Sequence, residues 1–371
     1  AVETTSNPGF STRYASFQNL GAFRRRVYDA NNNLISTVTV GLNTVSGTPL
    51  VTGTGGNAQF VTPVVANSID GTRLVIGGRS NFYESNDQGD NISELLGVGG
   101  ANLNSIVYGG TLSGVTNPDV LWLGSGANVF ARTTAGFGVS PTQAVAYPGG
   151  SVRGIVLDSD DYNTAYVIDS NQVFVTADTG ATWTDITGDL TTLESDFRSI
   201  EFIPGPTQSR LVVGGLTGVF EMDLANPGVW QEFGVGVPTV RVSELVYDAA
   251  DDLLVAGTLG RGAFTFADAS TGGTVLLTAG LQDGVFDLRT TDSTLTLNGE
   301  LLTFNGFENV SGGSANDTFN VLNDVSVNIN GNDGMDTVNV GAGLTLTGAV
   351  DTGDGDDSVV LGDGANITVN G

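Results

Sequence analysis

Short apolar segments recur at a nearly constant interval over the first 270 residues. Five of them occupy residues 73–78, 120–125, 164–169, 210–215 and 252–257, and their first residues lie 42 to 47 positions apart. Each is preceded by one short strand-like segment and followed by another that contains a phenylalanine. A period of about 45 residues with several short strands is typical of β-propeller blades. Because a single blade exposes two apolar faces, several must pack together, and the repeat predicts five or six blades.

The first 60 residues contain three more strand-like segments, at 14–20, 24–28 and 34–40. We expect them to be the outer strands of one further blade, with its inner part supplied by strands near the end of the propeller. The opening blade is then incomplete by itself. The predicted propeller domain spans residues 1–270.

The turn after the third strand of one repeat has a distinctive sequence. Thr176, Asp178, Gly180 and Trp183 are spaced as Thr-x-Asp-x-Gly-x-x-Trp, and Ser85, Asp87 and Gly89 form a partial copy. This pattern resembles the Asp box of the bacterial neuraminidase repeat. The resemblance implies structural roles, in which the aspartate accepts hydrogen bonds from its own turn, the glycine takes a positive φ and the tryptophan packs between blades. Other repeats depart from the pattern, with Thr134 in the aspartate position of one and Met222-Asp223 obscuring it in another.

A change of composition marks a second region, predicted to span residues 271–371. From Gly273 onward there are 14 acidic residues and a single basic one, Arg289, and Trp and Tyr no longer occur. Glycine- and acid-rich segments recur there with Asp317, Asp336 and Asp357 in register, 19 and 21 residues apart. A repeat of about 20 residues with two strands and two turns predicts a parallel β-roll or β-helix. The predicted fold class is therefore all-β, a five- or six-bladed propeller with a C-terminal parallel coil.

The acidic segments resemble the hemolysin-type (RTX) calcium repeat, although Ala315, Asn332 and Thr352 stand at glycine positions. The resemblance implies calcium, bound by aspartate oxygens and main-chain carbonyls of neighbouring coils. Electrostatics favours the same cation, because aspartates stacked at strand spacing repel one another unless neutralised, and oxygen ligands suit calcium. The candidate ligands are Asn316, Asp317, Asp333, Asp336, Asp354, Asp356 and Asp357. The alternative is a solvated acidic ridge with asparagine ladders and no bound ion.

Three arginines occupy the same place at the start of successive repeats. Arg153, Arg198 and Arg241 are separated by 45 and 43 residues. First strands line the axis of a propeller, so these guanidinium groups could converge on an anion. Together with the Asp box, this invites a sialidase-like hypothesis, with Glu201 and Glu244 as the acids to test. The Arg-Ile-Pro signature of sialidases is absent, however, and Asp158, Asp196 or Asp248 could instead neutralise the arginines as structural salt bridges.

Charge and composition narrow the functional classes. The formal net charge is −27 at pH 7, with 40 acidic residues against 13 basic ones, which disfavours nucleic acids and anionic lipids as partners. The sequence contains neither Cys nor His, which excludes disulfides, thiol nucleophiles and Ser-His-Asp triads. No apolar run approaches the length of a membrane span.

These features together predict a secreted or cell-surface bacterial protein with a structural or adhesive role. We expect it to be stabilised by calcium, to have no enzymatic activity, and to bind other copies of itself or extracellular glycans. The alternative is a propeller that binds or hydrolyses acidic glycans.

Overall fold

The computed structural model describes residues 1–5, 7–51, 56–95, 97–205, 208–234, 239–260, 262–271, 274–278, 283–297, 300–304 and 309–368. Within these ranges the structure is almost entirely β. The helical elements there are one short α-helix, α1 (Leu190–Leu193), and two 3-10 turns, Gln18–Leu20 and Ala269–Thr271. In the described part of the chain, no helix is long and apolar enough to cross a membrane.

The first sheet is built from the beginning of the chain. It contains β1 (Val2–Glu3), β2 (Phe10–Ala15), β3 (Arg24–Asp29) and β4 (Leu34–Thr39), in that order. The prediction that later strands would complete this blade is wrong. The reason is that residues 2–3 are themselves extended and pair antiparallel with β2, Val2 opposite Arg13.

The next four sheets repeat one antiparallel pattern. The second contains β6 (Val64–Ala66), β7 (Leu74–Gly77), β8 (Phe82–Ser85) and β9 (Asn91–Leu95), with β5 (Asn43–Ser46) added parallel to β9. The third contains β10 (Ile106–Leu112), β11 (Val115–Ser125), β12 (Asn128–Arg132) and β13 (Thr142–Gln143). The fourth contains β14 (Gly154–Leu157), β15 (Ala165–Ile168), β16 (Val173–Thr176) and β17 (Thr184–Asp185), and the fifth β18 (Ser199–Ile203), β19 (Arg210–Gly214), β20 (Val219–Asp223) and β21 (Trp230–Glu232).

The sixth sheet begins in the same way, with β22 (Val242–Asp248), β23 (Leu253–Thr258), β24 (Ala263–Ala267) and β25 (Thr274–Thr278). The five predicted apolar segments are the second strands β7, β11, β15, β19 and β23 of their sheets. These six four-stranded blades confirm the all-β propeller fold and decide between the five and six blades that the sequence predicted.

The burial pattern explains why the second strands are uniformly apolar. Leu74 and Ile76 of β7 belong to a core cluster that includes Tyr14 of the first sheet. Val75, between them, belongs to a second cluster with Leu121 of the third sheet. Alternate side chains of one strand therefore pack against the two neighbouring blades, and no face of the strand is left for polar residues.

Contacts divide the chain into two compact units. The first contains residues 1–204 and 222–230, and the second contains residues 205–221 and 231–371. By contacts, the sixth sheet thus groups with the C-terminal region, whereas the sequence predicted a boundary after residue 270.

Parallel ladders characterise the C-terminal part of the second unit. An antiparallel hairpin set, β26 (Gly284–Leu288), β27 (Ser293–Leu297) and β28 (Glu300–Phe304), precedes β29 (Asn309–Gly313). The remaining strands are β30 (Thr318–Val321), β31 (Val325–Ser326), β32 (Asn328–Asn332), β33 (Thr337–Val340), β34 (Thr345–Thr347), β35 (Val350–Asp351), β36 (Ser358–Leu361) and β37 (Asn366–Thr368). Parallel pairing runs through β25-β29-β32-β35, β26-β30-β33-β36 and β31-β34-β37. The first ladder continues the sheet of the sixth blade.

Apolar side chains stack inside these ladders at one level per strand. The rings of Phe286 and Phe319 are parallel and 4.7 Å apart, and Val338 continues the row, fully buried. Val359, the equivalent residue of β36, is 45% exposed. Burial of the row therefore depends on a covering strand on each side.

Candidate functional site

Two of the three predicted arginines meet on one aspartate. Arg153 precedes β14 and Arg198 precedes β18, and their Nη1 and Nη2 groups donate to different carboxylate oxygens of Asp196. Arg153 Nη1 also donates to the Phe197 carbonyl at 2.9 Å. Residues 43 positions apart in the chain thus form one cluster, because the repeat places their strand starts side by side.

A second acid holds Asp196 in position. Glu194, only 2% exposed, accepts hydrogen bonds at Oε1 from the backbone N–H groups of Ser195 at 2.6 Å and Asp196 at 2.9 Å. The Phe197 N–H donates to the Ser170 carbonyl of the fourth blade at 2.9 Å. The segment that carries the aspartate is therefore fixed at both ends, which preorganises the two guanidinium groups.

The two guanidinium groups of the cluster depend on the same carboxylate and stay partly accessible. Two guanidinium groups share one carboxylate, and Arg198 Nε has no partner in the described part of the chain. Burial raises the pKa of Asp196, but the hydrogen bonds and charges of Arg153 and Arg198 outweigh it and the net pKa is lowered. The arginine side chains remain 35% and 25% exposed. An anionic group can therefore reach them and replace or join Asp196 as acceptor.

A carboxyl group with a raised pKa lies on β18, the strand that follows Arg198. Glu201 is in β18, three residues after Arg198, and its side chain keeps some exposed surface although protein atoms surround it on most sides. This desolvation raises its pKa to about 8. A carboxyl that holds its proton at neutral pH can act as a general acid.

The third arginine is placed differently. Arg241 belongs to the second unit, where its carbonyl accepts from the Leu259 N–H at 2.9 Å and its Nε is buried without a partner among the described residues. Glu244 is exposed on β22, at an irregularity in the pairing with β23. Asp158 and Asp248 accept from backbone N–H groups two residues later, of Asp160 and Ala250. Of the three acids that could neutralise these arginines, Asp196 pairs with Arg153 and Arg198.

The two Asp-box-like turns have matching hydrogen bonds. Thr176 Oγ1 donates to Asp178 Oδ1 at 2.8 Å and accepts from the Gly180 N–H at 2.9 Å, and Asp178 Oδ1 also accepts from the Thr182 N–H at 2.8 Å. The corresponding bonds among Ser85, Asp87, Gly89 and Asn91 are each 2.9 Å. Both glycines have positive φ, +91° at Gly89 and +84° at Gly180. Hydrogen bonds from Thr182 and Thr176 lower the pKa of Asp178 to about 2.

The tryptophan of the fuller motif packs beside its own turn. The Trp183 ring lies edge-on to Tyr147, with centroids 5.2 Å apart, and its Nε1 donates to the Gly180 carbonyl at 3.2 Å. Trp230, which follows the obscured turn of the fifth blade, is 4% exposed and donates from Nε1 to the Ile186 carbonyl.

The three aligned aspartates of the C-terminal region form a ladder. Asp336 Oδ1 accepts from the Asp317 N–H at 2.8 Å, and Asp357 Oδ1 accepts from the Asp336 N–H at 2.9 Å. Asp317 Oδ1 accepts from the Gly284 N–H at 2.5 Å. Each carboxylate thus bonds to the backbone one rung earlier in the parallel ladder β26-β30-β33-β36, which connects the rungs along one line.

The second oxygens of this ladder are left without partners. Asp317 and Asp336 are each 1% exposed, and their Oδ2 atoms are buried with no hydrogen bond to any residue that the structure describes. Burial raises the pKa of Asp317 to about 6, with Asp336 and Asp283 adding to the rise, and burial likewise raises the pKa of Asp336. Gly312 has no side chain, and the space that a Cβ atom would take there lies within 3 Å of both Asp317 Oδ2 and the Gly331 carbonyl oxygen. A buried carboxylate oxygen without a donor, close to a main-chain carbonyl oxygen, is a pair of hard donors that suits calcium.

The other predicted metal ligands lie outside this buried row. Asn316, Asp333, Asp354 and Asp356 are exposed, and Asp333 and Asp354 face each other across a parallel bridge. Asn316 Oδ1 accepts from the Met335 N–H at 2.8 Å. In the described ranges, no three acidic side chains come close enough together to hold a metal by themselves, so carbonyl oxygens would have to contribute.

Sequence reasoning missed one buried ion pair. Glu84 of β8 and Arg132 of β12 are 1% and 3% exposed, and they bond through both carboxylate oxygens at 2.5 and 3.1 Å. Tyr108 Oη donates to Glu84 Oε1 at 2.6 Å, and its own pKa is raised by burial and by Glu84, so it stays a neutral donor. The available signal in the sequence was one charged residue in the third strand of each of two neighbouring blades, where apolar residues predominate.

Comparison with known proteins supports the fold. No family model matches the sequence, and no curated protein matches it. An ancestral GH74 enzyme superposes with a TM-score of 0.50 at 14% identity, covering 74% of this chain and 37% of its own. The GH74 xyloglucanase from Xanthomonas campestris superposes with a TM-score of 0.52 at 13% identity, covering 80% of this chain and 50% of its own. The chain thus spans half or less of the length of these proteins, and the similarity concerns the propeller fold.

This finding corrects one prediction. The sequence predicted a chain without enzymatic activity, whereas the structural neighbours are glycoside hydrolases. The prediction rested on the missing sialidase signature. That signature belongs to one class of propeller enzymes and says nothing of other classes that share the fold.

Proposed function

We propose that the propeller is a secreted or cell-surface bacterial domain that binds and hydrolyses acidic glycans. The observation that carries this proposal is the pair Arg153 and Arg198, preorganised on a single aspartate and accessible to solvent. Two partly exposed guanidinium groups that share one carboxylate acceptor present further N–H donors to the carboxylate of a ligand. The likeness to glycoside hydrolases in fold agrees with a glycan as substrate.

Each residue of the cluster has a distinct role in this proposal. Arg153 and Arg198 bind the carboxylate of the sugar, Glu194 fixes the segment that carries Asp196, and Asp196 keeps the guanidinium groups oriented when no ligand is bound. Glu201 is the acid to test for proton transfer in hydrolysis, because its pKa of about 8 keeps it protonated at neutral pH.

The experiment compares an acidic with a neutral oligosaccharide. Isothermal titration with 3′-sialyllactose and lactose should show binding that depends on the carboxylate. Arg198→Ala removes one charge-assisted contact of about 1.5–3 kcal/mol, so affinity should fall roughly 10- to 100-fold. Arg24→Ala, on an exposed residue of β3, is the matched control and should bind as the parent does. Equal binding of both sugars, or an unchanged affinity in Arg198→Ala, would contradict the proposal.

We infer a second, supporting function for the C-terminal region, that of a calcium-stiffened parallel coil of the RTX type. The unpartnered Oδ2 atoms of Asp317 and Asp336 favour it, because a buried carboxylate oxygen without a donor is costly unless a cation binds it. Asp317, Asp336 and adjacent main-chain carbonyls would hold the ion, and Asp357 continues the row. The matching turns at Ser85 and Thr176 likewise support a relation of the blades to Asp-box repeats.

Calcium binding is testable on the intact chain. Addition of CaCl2 to EGTA-treated protein should slow amide hydrogen exchange in β30 and β33, because an ion that binds only the folded coil stabilises it. Magnesium at the same concentration is the control for ionic strength, because it binds poorly to irregular sites that are rich in carbonyl ligands. Identical amide exchange rates in calcium, magnesium and EGTA would contradict the proposal that the buried carboxylates bind calcium.

A further inference from the structure

The third blade departs from the Asp-box turn in a way that changes its surface. By strand register, Arg132 stands where Ser85 and Thr176 stand in the second and fourth blades, and Thr134 stands where Asp87 and Asp178 stand. The hydroxyl and carboxylate that close those turns on themselves are therefore both missing. The connection between β12 and β13 spans residues 133–141, longer than the connections at 86–90 and 177–183.

This longer connection is held by the buried ion pair rather than by its own residues. Arg132 Nη1 donates to the Val139 carbonyl at 2.6 Å, and Glu84 Oε2 accepts from the Gly138 N–H at 2.7 Å. The Phe137 ring lies 5.5 Å from the guanidinium carbon of Arg73. Three anchors on consecutive residues fix the tip of the loop, so its shape is set before any ligand binds.

The fixed loop leaves a cavity at the edge of the third blade. Its volume is about 280 Å³, and Thr179 of the fourth blade's turn is among its lining residues. Its polar lining consists of Thr133, Thr134, Ser140, Thr142, Gln143 and Thr179. Ala131 and Val139 add an apolar part. Because drug-sized ligands need upwards of roughly 300 Å³, this cavity suits a ligand about the size of one sugar ring.

The chemistry of the lining selects for a neutral ligand. Arg132 carries the only charge among the described lining residues, and its donors are committed to Glu84, the Asp119 carbonyl at 2.8 Å and the Val139 carbonyl. Hydroxyl groups can donate and accept, although the Thr179 hydroxyl donates to Asn163 Oδ1 at 3.0 Å and is left as an acceptor. Gln143 Nε2 donates one proton to Asn128 Oδ1 at 2.8 Å, which leaves its second proton and its carbonyl oxygen for a ligand. Such a lining complements a ligand rich in hydroxyl groups and without charge.

We propose that this cavity is a second carbohydrate site, which binds one neutral sugar residue at the periphery of the third blade. It is independent of the arginine cluster, since the two share no residue. A peripheral site of this kind would hold a glycan chain while another part of it is processed elsewhere.

The test uses saturation-transfer NMR on the full chain with xylotriose, cellotriose and diacetylchitobiose as three separate probes. Saturation transfer to at least one of them is expected. Thr142→Trp fills the cavity from the exposed strand β13 and should lower that affinity at least tenfold. Thr184→Trp is the matched control, because Thr184 opposes Val175 in the fourth blade as Thr142 opposes Ala131 in the third, and it should bind as the parent does.

Two further variants show whether binding at this site is independent of the arginine cluster and whether a loss of binding is caused by misfolding. Arg198→Ala should keep the neutral-sugar signal, so failure of the acidic-glycan proposal leaves this one intact. Thr134→Ala removes one exposed hydroxyl without adding bulk and should weaken binding severalfold. The absence of saturation transfer to all three probes, or full binding by Thr142→Trp, would overturn the inference.

Discussion

The buried pair Glu84–Arg132 offers a sharp test of how the second and third blades are joined. Glu84 accepts four hydrogen bonds, two from Arg132 and one each from Tyr108 Oη and the Gly138 N–H. Arg132→Met leaves the carboxylate with two donors and no counter-charge at a site that is 1% exposed. Removal of one partner from a buried pair costs about 3–5 kcal/mol. Glu84→Gln, which keeps the shape and removes the charge, should cost a similar amount.

The double variant distinguishes a true pair from two independent residues. Glu84→Gln with Arg132→Met leaves no buried charge, so its cost should fall short of the sum of the single costs by about 2 kcal/mol or more. Urea unfolding followed by tryptophan fluorescence measures all three, because Trp122 is fully buried in the third blade. Asp90→Asn, at a carboxylate that is 44% exposed in the surface pair with Arg25, should cost under about 1 kcal/mol. If the losses in unfolding free energy of the two single variants add up to that of the double variant within about 0.5 kcal/mol, the two residues are not coupled and the prediction is wrong.

Three further predictions concern the other described sites. In EGTA, Asp317→Asn should stabilise the C-terminal region above pH 6, because the folded-state pKa of about 6 lies above the unfolded value of 3.8 and ionisation therefore opposes folding. Amide exchange should show this gain in stability vanishing toward pH 4, and a variant less stable than the parent at pH 7.5 would contradict the prediction. If Glu201 donates the proton, hydrolysis of an acidic glycoside should decline as the pH rises through 8, and Glu201→Gln should lose both the activity and this limb of the pH profile. Thr176→Val should cost about 1–2 kcal/mol in urea unfolding, since it leaves the buried Gly180 N–H without an acceptor, and Ser85→Ala should cost about the same at the equivalent turn.

Much of the fold follows from local patterns. The second strands of the blades lie where the apolar segments recur, because a strand between two blades must be apolar on both faces. The register of Asp317, Asp336 and Asp357 was also readable, since parallel stacking of Thr318 on Thr337 and Ser358 preserves the sequence interval. The error at the opening blade arose because a two-residue strand such as β1 is too short to show any alternation.

The candidate sites were predictable only in part. The equal spacing of Arg153 and Arg198 indicated that they start neighbouring strands, and Asp196 was one of three acids that could neutralise them. Nothing in the local sequence distinguished Asp196 from Asp158 or Asp248, because the choice depends on where Glu194 holds the backbone of the loop. The elevated pKa of Glu201 likewise arises from the surrounding protein atoms rather than from its neighbours in sequence.

By itself, the sequence determined the repeat, the blade strands and the alignment of acids in the C-terminal coils, because all three depend on intervals along the chain. The tertiary structure alone decided that Arg198 shares Asp196 with Arg153, that Arg132 is neutralised by Glu84, and that the loop at 133–141 stands open beside a cavity. Those features depend on side chains 43 to 48 residues apart, and the energies that select such partners come from burial and charge in the folded blades.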